Sequence, residues 1–467
     1  MPNPLLSLPF ESSIEALGEA YWDVVEAAKF SCAQLRFRND DLLGQLGLDA
    51  EAISDADLES AYGRFEGRVP FLALRYHGYQ FGQYNPQLGD GRGFLYGQLR
   101  DVHGHLQDLG TKGSGTTPWS RGGDGRLTLK GGIREVIASE ALHRLGVTTS
   151  RTLSLIETGE HLYRSDEPSP TRSAVMVRMA RTHLRFGTCE RLLFLRDAPG
   201  LERLLRHVIA VYYPHLESDG KPLLAFYREL VQRVARLAAE WMAAGFVHGV
   251  LNTDNMSLMG ESFDYGPFAF LDIWDPNFTA AYFDQTGLYA YGRQPSVCQN
   301  NLRLLQEPLS MLLHRDAMTD CLDSFPSLYQ QHYRARMRRR LGLPDAGDEM
   351  VVRNTLALLA AWPVGYGAFF SGLSRHVVDR GLPEEPEALA PFLDGAPEPP
   401  RDLWCCWRDL WWHEQRSGSG VVERLRRWNV PEVPIRPLIE QLWEGIDQRD
   451  DWRPLQAWLM RLRLNTA

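Results

Sequence analysis

Short apolar runs separated by glycine-rich turns follow one another from about residue 71 to residue 155. Runs such as FLALRY at 71–76 and LQDLGTK at 106–112 have the length and the flanking turns of β-strands. The segment 133–147 differs, because its apolar residues recur at helical spacing until Gly146 ends the pattern. Runs at 150–157 and 174–180 again predict strands. This part of the chain therefore predicts a mixed sheet with one long helix.

After about residue 190 the pattern becomes mainly helical. Leu204–Tyr213 and Leu223–Ala244 predict amphipathic or buried helices, and helices resume near Asn300. A short insert of strands and loops, 246–272, separates these two groups of helices. A proline-rich stretch at 381–400 interrupts the last group and is typical of a surface loop.

The order of these elements predicts an α+β fold with two lobes. Residues 1–190 form the predicted N-terminal lobe, of which residues 1–60 are a mainly helical extension. Residues 191–467 form the predicted C-terminal lobe, which is mainly helical. A length of 467 residues also favours two lobes over a single core.

The composition is that of an ordinary globular protein, and its charge narrows the range of partners. The formal net charge is −9, which argues against broad binding to nucleic acid or anionic membranes, since both need a basic face. No stretch approaches the length of a membrane span, and the first residues do not resemble a secretory signal. The six cysteines are scattered and show no CxxC motif. We therefore expect a cytoplasmic protein, a monomer because no strong dimer seam is visible, without nucleic-acid or membrane partners.

Lys112 ends a predicted strand, and Glu135 lies on the predicted helix that follows. A strand lysine held by a helix glutamate is how kinase-type sites aim an ammonium group at nucleotide phosphates. Most lysines in such positions are solvated surface groups, so the pair gains weight only together with other motifs.

One short motif, Gly-Asp-Gly-Arg, occurs at 89–92 and again at 123–126, on either side of Lys112. Glycines let backbone N–H groups approach a phosphate, and each arginine adds a planar donor fork. Two tight hairpin turns are the alternative interpretation, because Asp-Gly is a common turn dipeptide. The repetition around Lys112 favours a phosphate cradle.

The segment from His248 to Asn255, followed by Asp264-Tyr265-Gly266, matches the grid of a kinase catalytic loop. That grid has a His-x-Asp, an Asn five residues after the Asp, and an Asp-x-Gly that holds magnesium. Here Val250 occupies the position of the catalytic Asp. An amide and a carboxylate oxygen, with phosphate oxygens, are suitable ligands for Mg²⁺ or Mn²⁺.

Val250 cannot accept a proton, so either the protein is inert or its base lies elsewhere and its chemistry differs. Asp254 is the obvious substitute, next to the predicted metal ligand Asn255. Retained metal ligands with a displaced base favour attack on a different phosphorus. Arg178, Arg181 and Arg185 lie in one strand and the loop after it, where they could lean over a shared pocket.

Five long segments resemble the selenoprotein O family, a pseudokinase-fold family of protein nucleotidyltransferases, and the similarity runs in order from roughly residue 5 to 455. These segments are 78–93, 109–126, 133–147, 247–260 and 264–272. They include both Gly-Asp-Gly-Arg motifs, Lys112 and the segment 248–255 that resembles a kinase catalytic loop. Motifs of this length do not match by chance.

The resemblance implies ATP bound in a flipped orientation and transfer of AMP to Ser, Thr or Tyr hydroxyls of target proteins, which is AMPylation. Mg²⁺ or Mn²⁺ is the implied cofactor, and UTP with Mn²⁺ is the implied alternative. Asp254 is the implied proton acceptor, Glu135 the partner of Lys112, and Asn255 and Asp264 the metal ligands. The implied nucleotide contacts are Gly89, Gly91, Arg92, Lys112, Asp124, Gly125, Arg178, Arg185 and Asp264.

Two departures from the family pattern stand out. Tyr79 replaces a usual histidine, and the segment 461–467 lacks the cysteine or selenocysteine that family members carry there, which puts redox control through a C-terminal disulfide in doubt. Two other functions stay open beside AMPylation. One is a kinase-like phosphotransferase, against which Val250 speaks, and the other is an ATP-binding scaffold, which would need no metal ligands.

Overall fold

The computed structural model of the chain describes residues 3–416 and 420–464. Residues 465–467, part of the segment in which the expected cysteine is missing, lie outside the described residues. The fold is mixed, with strands concentrated before residue 181 and helices after it. This order agrees with the α+β prediction.

An antiparallel sheet of eight strands forms the first part of the molecule, in the order β1-β3-β6-β7-β10-β9-β2 with β8 paired to β10. Two small two-stranded sheets, the hairpin β4–β5 and the pair β11–β12, are separate from it. The strands are β1 Trp22–Val25, β2 Gln34–Arg38, β3 Phe71–Leu74, β4 Gly78–Gln80, β5 Gln83–Asn85, β6 Leu95–Arg100, β7 Leu106–Lys112, β8 Leu127–Thr128, β9 Arg151–Leu162, β10 Thr171–Ala180, β11 Phe246–Val247 and β12 Ala269–Phe270.

Most of the helices follow the last strand of the eight-stranded sheet. They are α1 Asp40–Gln45, α2 Asp55–Leu58, α3 Leu129–Arg144, α4 Phe186–Phe194, α5 Ala198–Tyr212, α6 Pro222–Ala244, α7 Gln294–Leu309, α8 Arg315–Leu322, α9 Phe325–Arg340, α10 Met350–Ala361, α11 Tyr366–Arg380, α12 Arg401–Arg416, α13 Val421–Trp428, α14 Arg436–Arg449 and α15 Arg453–Leu464.

Most of the predicted elements are present at the expected places. β7 ends at Lys112, and α3 ends just before Gly146, whose φ of 76° is the left-handed conformation that glycine favours at a helix end. α6 agrees with its predicted bounds to within one residue, whereas α5 begins at Ala198, six residues before the predicted start. The strands change to helices between Ala180 and Phe186, slightly before the predicted position of 190.

The prediction of a mainly helical segment over residues 1–60 is wrong in part. Among residues 3–60 the helical structure is limited to the short helices α1 and α2, single 3-10 turns and the start of a π-helical turn at Glu59, while β1 and β2 form the two edges of the sheet. In β2, Gln34–Arg38, polar and apolar residues alternate as an edge strand requires. Runs of four or five residues are too short for periodicity to separate a strand from a helical turn, which explains the error.

The long helix α3 packs on β9 and β10 and buries one complete face, including Ile133, Val136 and Ile137. On its other side it meets the last two helices of the chain. Arg144 Nε donates to the carbonyl of Leu462 at 2.6 Å, so α15 is tied to α3. The C-terminal helices α14 and α15 therefore contact the sheet region and not only the helical region.

Among the helices that the structure describes, none has both the length and the apolar character needed to cross a membrane.

Candidate active site

A cavity of about 720 Å³ opens between the sheet and the loops that follow α6. Every residue predicted to contact the nucleotide lines it, together with the predicted base. These residues are Gly89, Gly91, Arg92, Lys112, Asp124, Gly125, Arg178, Arg185, Asp254 and Asp264. Glu135 and Asn255 do not line the cavity but lie beside residues that do.

Lys112 is the centre of a buried ion-pair cluster. It is the last residue of β7, and its Nζ contacts the Glu135 carboxylate, which α3 holds at 3% exposure. The same Nζ donates to Asp264 Oδ1 at 2.7 Å. The strand lysine is thus fixed between a helix glutamate and the acid of the Asp-x-Gly motif.

Two arginines complete the cluster around Asp264. Arg178 on β10 places Nη1 at 3.3 Å from Asp264 Oδ1, and Arg185, the residue before α4, places Nη1 at 3.9 Å from Oδ2. The Arg185 guanidinium is 1% exposed and lies 4.1 Å from the ring centroid of Tyr76 and 4.9 Å from that of Phe263. Ring faces attract cations, so this packing fixes the group while leaving its charge directed toward the cavity. Arg181, by contrast, donates to the carbonyl of Leu106 and does not line the cavity.

Asp264 carries a negative charge at the meeting point of three cations. Burial alone would raise the pKa of its carboxyl, but Lys112, Arg178 and Arg185 outweigh burial and hold that pKa well below its usual range. The residue also has a φ of 65°, in the left-handed region that non-glycine residues seldom occupy. Such local strain is kept where the surroundings over-determine it, and here the three cations do so.

Asp254 lies in a 3-10 turn, Thr253–Asn255, and lines the same cavity. Its Oδ1 is buried and has no hydrogen-bond partner among the described residues. Burial raises the pKa of Asp254 to about 6, Arg185 opposes that rise, and the charge of Asp264 adds to it. The Arg185 Nη1 also donates to the backbone carbonyl of Asp254 at 3.0 Å, which orients the turn.

Asn255 has one half of its amide engaged and the other half available. Its Nδ2 donates to the carbonyl of Val250 at 2.8 Å, which leaves Oδ1 as the remaining acceptor. His248 joins this loop to the Asp264 segment, since its Nε2 lies 3.0 Å from the carbonyl of Phe263. Within residues 3–416 and 420–464, no group of three His, Cys, Asp or Glu side chains could hold a metal ion alone. An amide and a carboxylate fit a hard cation that takes its other ligands from phosphates and water.

The first Gly-Asp-Gly-Arg motif, 89–92, packs against the loop that carries Trp119. A Cβ on Gly89 would lie 2.3 Å from Trp119 Cγ, and one on Gly91 would lie 2.8 Å from the Trp119 carbonyl oxygen. Only glycine permits this approach, so the backbone at 89–92 is held at the cavity wall. Arg92 is exposed at its rim.

The charged side chains of the second Gly-Asp-Gly-Arg motif, 123–126, form ion pairs with neighbouring residues. Asp124 meets Arg164 at 2.9 Å, and Arg126 Nε donates to Glu160 at 2.7 Å. Arg126 lines the cavity, and its Nε and Nη2 donate to Glu160, so its role as a phosphate fork stays a prediction. Gly125, with a φ of 68°, still requires glycine because a Cβ there would lie 2.2 Å from the Gly115 backbone.

The hairpin β4–β5 is docked on the loop that holds Asp254. The backbone N–H of Tyr79 donates to Thr253 Oγ1 at 2.7 Å, and that of Phe81 donates to Asn252 Oδ1 at 3.2 Å. The Thr253 hydroxyl in turn donates to Glu190 Oε2 on α4 at 2.8 Å. The hairpin bonds through its backbone, so Tyr79 in place of histidine leaves this contact intact.

Sequence reasoning missed several residues of this site. Asp90 accepts from the Leu74 N–H at 3.0 Å and faces Arg185 Nη2 at 3.5 Å. It belongs to the first Gly-Asp-Gly-Arg motif but is not among the predicted site residues. His183 lines the cavity behind Arg178, and Glu190 supports Thr253 from below. A histidine and a glutamate without a local motif give no sequence signal, because their partners are distant along the chain.

Comparison with known proteins agrees with this geometry. The family described as protein adenylyltransferase SelO matches residues 4–463. A protein nucleotidyltransferase YdiU from Gloeobacter violaceus is 54% identical over 470 residues, which cover 99% of this chain and 96% of that protein. Proteins of the same name from Synechococcus elongatus and Stutzerimonas stutzeri are 52% and 35% identical, over 99% and 97% of this chain and 96% and 92% of their own. The chain therefore belongs to the SelO family of protein adenylyltransferases, as its motifs predicted, and is an enzyme of the nucleotidyltransferase class.

Proposed function

We propose that this enzyme transfers AMP from ATP to the hydroxyl groups of Ser, Thr or Tyr in target proteins and releases pyrophosphate. The observation that carries this proposal is that a three-cation cluster and a carboxylate with an unpartnered oxygen line the same cavity. Lys112, Arg178 and Arg185 form the cluster, and Asp254 supplies the carboxylate.

The cations suit a triphosphate better than any other common ligand. Arginine forks and a lysine ammonium match phosphate oxygens, and their burial strengthens each contact. Asp264 is their partner in the structure, and a divalent metal on Asp264 and Asn255 would leave the cations to the phosphates. The metal, Mg²⁺ or Mn²⁺, would supply charge stabilisation for the departing pyrophosphate.

The position of the base decides which phosphorus reacts. Val250 stands where a kinase places its catalytic Asp, so the hydroxyl that attacks a γ-phosphorus would have no proton acceptor there. In the proposed reaction Asp254 takes the hydroxyl proton, the oxygen bonds to the α-phosphorus, and the bond to the bridging oxygen breaks. Pyrophosphate leaves with that electron pair, held by Lys112, Arg178 and Arg185.

The same proposal includes the organisation around the site. Residues 1–190 and 191–467 act as two lobes that meet at the cavity, and Glu135 keeps Lys112 in position. The two Gly-Asp-Gly-Arg motifs line the cavity and receive the rest of the nucleotide, with Gly89, Gly91, Arg92, Asp124 and Gly125 as its contacts. UTP with Mn²⁺ is the alternative donor, and the enzyme works as a cytoplasmic monomer.

Two parallel labelling reactions test the proposal. The protein, alone and with a cell extract, is incubated with Mg²⁺ or Mn²⁺ and ATP labelled at either the α- or the γ-phosphate. We expect protein-bound label from the α-phosphate only. Label from the γ-phosphate only would establish a phosphotransferase instead, and absence of label with ATP still bound would establish a scaffold.

The control variants are Asp264→Ala and Asp323→Ala. Asp264 lies in the cation cluster, whereas Asp323 is an exposed residue near the end of α8. The first change should abolish α-label transfer and the second should leave it unchanged. Equal transfer by both variants would mean that the labelled site is not the cavity described above.

A further inference from the structure

We infer that His183 is a positioning residue that sets the orientation of the triphosphate-binding arginine Arg178 through a buried Asp108–His183–Arg178 chain. The inference rests on the proposed nucleotide site and assigns a role to a residue outside the predicted set. His183 follows β10 by three residues and is 5% exposed, with its ring against the cavity wall.

The chain starts at Asp108 on β7, whose carboxylate is completely buried. Gln98 Nε2 donates to its Oδ1 at 2.6 Å, and the His183 backbone N–H donates to its Oδ2 at 2.7 Å. The ring Nδ1 of His183 lies 3.3 Å from the same Oδ2. Asp108 is thus an anchor fixed by two strands and by the backbone of the residue it orients.

The other side of the ring faces Arg178, whose Nε donates to His183 Nε2 at 3.2 Å. A guanidinium has donors and no acceptor, so Nε2 must be the unprotonated nitrogen. The proton is therefore on Nδ1, where it points at Asp108, and the ring is neutral. Burial lowers the pKa of His183, which agrees with this state although the bond to Asp108 opposes the shift.

The backbone of the same residue contacts the second arginine. Arg185 Nε donates to the carbonyl of His183 at 3.4 Å. Gly110 on the neighbouring strand makes room for the ring, since a Cβ there would lie 2.3 Å from Nε2. The ring therefore has one position, and it leaves Arg178 Nη1 pointing at Asp264 Oδ1.

A fixed acceptor behind an arginine reduces the rotamer freedom that the side chain would otherwise lose on binding phosphate. Loss of that acceptor should therefore weaken nucleotide binding more than it slows the chemical step. A hydrogen bond to a charged group of this kind corresponds to a change of about 10- to 100-fold in affinity.

Two substitutions separate the two ends of the ring. His183→Gln keeps an acceptor near the Nε2 position, whereas His183→Asn keeps a donor toward Asp108 and removes the acceptor for Arg178. In the chain described here we expect His183→Asn to raise both the Kd of Mg²⁺–ATP and the KM for ATP by about 10-fold or more. His183→Gln should stay within about 3-fold of the wild type, and kcat should change little in either.

A double-mutant cycle with Arg178→Met shows whether the ring acts through Arg178. In that background His183→Asn should add less than about 2-fold to the Kd, because the contact it removes is already lost. An equal effect of Asn and Gln, or full additivity with Arg178→Met, would overturn the inference.

Thermal unfolding of each variant keeps stability losses apart from binding losses. The wild type also separates this inference from the proposed function. Wild-type ATP binding without α-label transfer would overturn the function and leave the effect on the Kd to decide the role of His183.

Discussion

At the scale of single residues, Asp254 faces the cavity with a buried oxygen that no described group satisfies. If it accepts the hydroxyl proton, Asp254→Asn should reduce AMP transfer by about 10²- to 10⁴-fold, the usual contribution of a general base. The Kd of Mg²⁺–ATP should remain within a few-fold of the wild type, since the cation cluster is unchanged. Initial rates with α-labelled ATP and a separate binding titration check both parts. A comparable loss of binding and rate would instead assign Asp254 to nucleotide contact.

Glu190 offers a second test at this scale, through stability and pH. It is 2% exposed, and burial raises its pKa to about 8, against the bond from Thr253. The folded protein therefore binds a proton that the unfolded chain, titrating near the ordinary pKa of about 4.3, has released. That stabilisation is complete below the unfolded pKa and is lost as the pH rises through 8.

Glu190→Gln keeps the acceptor for Thr253 and removes the titration. We expect the free energy of unfolding of the wild type, relative to this variant, to decrease between about pH 5 and 8 by on the order of a few kcal/mol at most. Denaturant unfolding at several pH values measures the difference. Parallel pH curves for the two proteins would contradict the assignment of a raised pKa to Glu190.

At the scale of elements, the Thr253 hydroxyl connects the hairpin β4–β5 to α4. Thr253 Oγ1 accepts from the Tyr79 N–H and donates to Glu190, and its side chain is buried. Thr253→Val should leave both partners unsatisfied and lower the free energy of unfolding by about 1–3 kcal/mol. Thr253→Ser keeps the hydroxyl and is the matched control.

Hydrogen exchange locates the effect of that change on the hairpin. Amide exchange over residues 78–85 should become faster in Thr253→Val, while Thr253→Ser should remain close to the wild type. Equal exchange in the two variants would show that the hairpin is held by its other contacts.

Elements with a strong local pattern could be predicted from the sequence, and those that depend on distant partners could not. The helices α3 and α6 show clear periodicity and are each followed by a left-handed glycine, whereas the edge strand β2 has only five residues to show a pattern. The same division applies to the site. The Gly-Asp-Gly-Arg motifs and the loop at 248–255 can be recognised from the spacing of their residues. The role of His183 depends on the Asp108 carboxylate, which lies 75 residues earlier in the chain.

At the scale of the whole molecule, the candidate site takes its parts from both halves of the chain. Lys112 and Arg178 are strand residues, while Asp254 and Asp264 follow α6. The ion pairs at Asp264 join these two groups directly, at 2.7 Å to Lys112 and 3.3 Å to Arg178. A ligand bound among these residues would therefore hold the sheet and the loops after α6 together.

Nucleotide binding should consequently stabilise the entire fold and not one segment of it. At 100 times its Kd, a ligand that binds only the folded state adds about 2.7 kcal/mol to the free energy of unfolding. We expect Mg²⁺ with an ATP analogue that carries carbon between its α- and β-phosphorus atoms to raise the wild-type Tm by several degrees, without transfer. Arg178→Met should show a much smaller rise at the same concentration, because the triphosphate loses one of its three cations. A rise of equal size in both proteins would place the nucleotide outside the cation cluster, whereas a selective rise would tie its binding to the ion pairs that join the two halves of the chain.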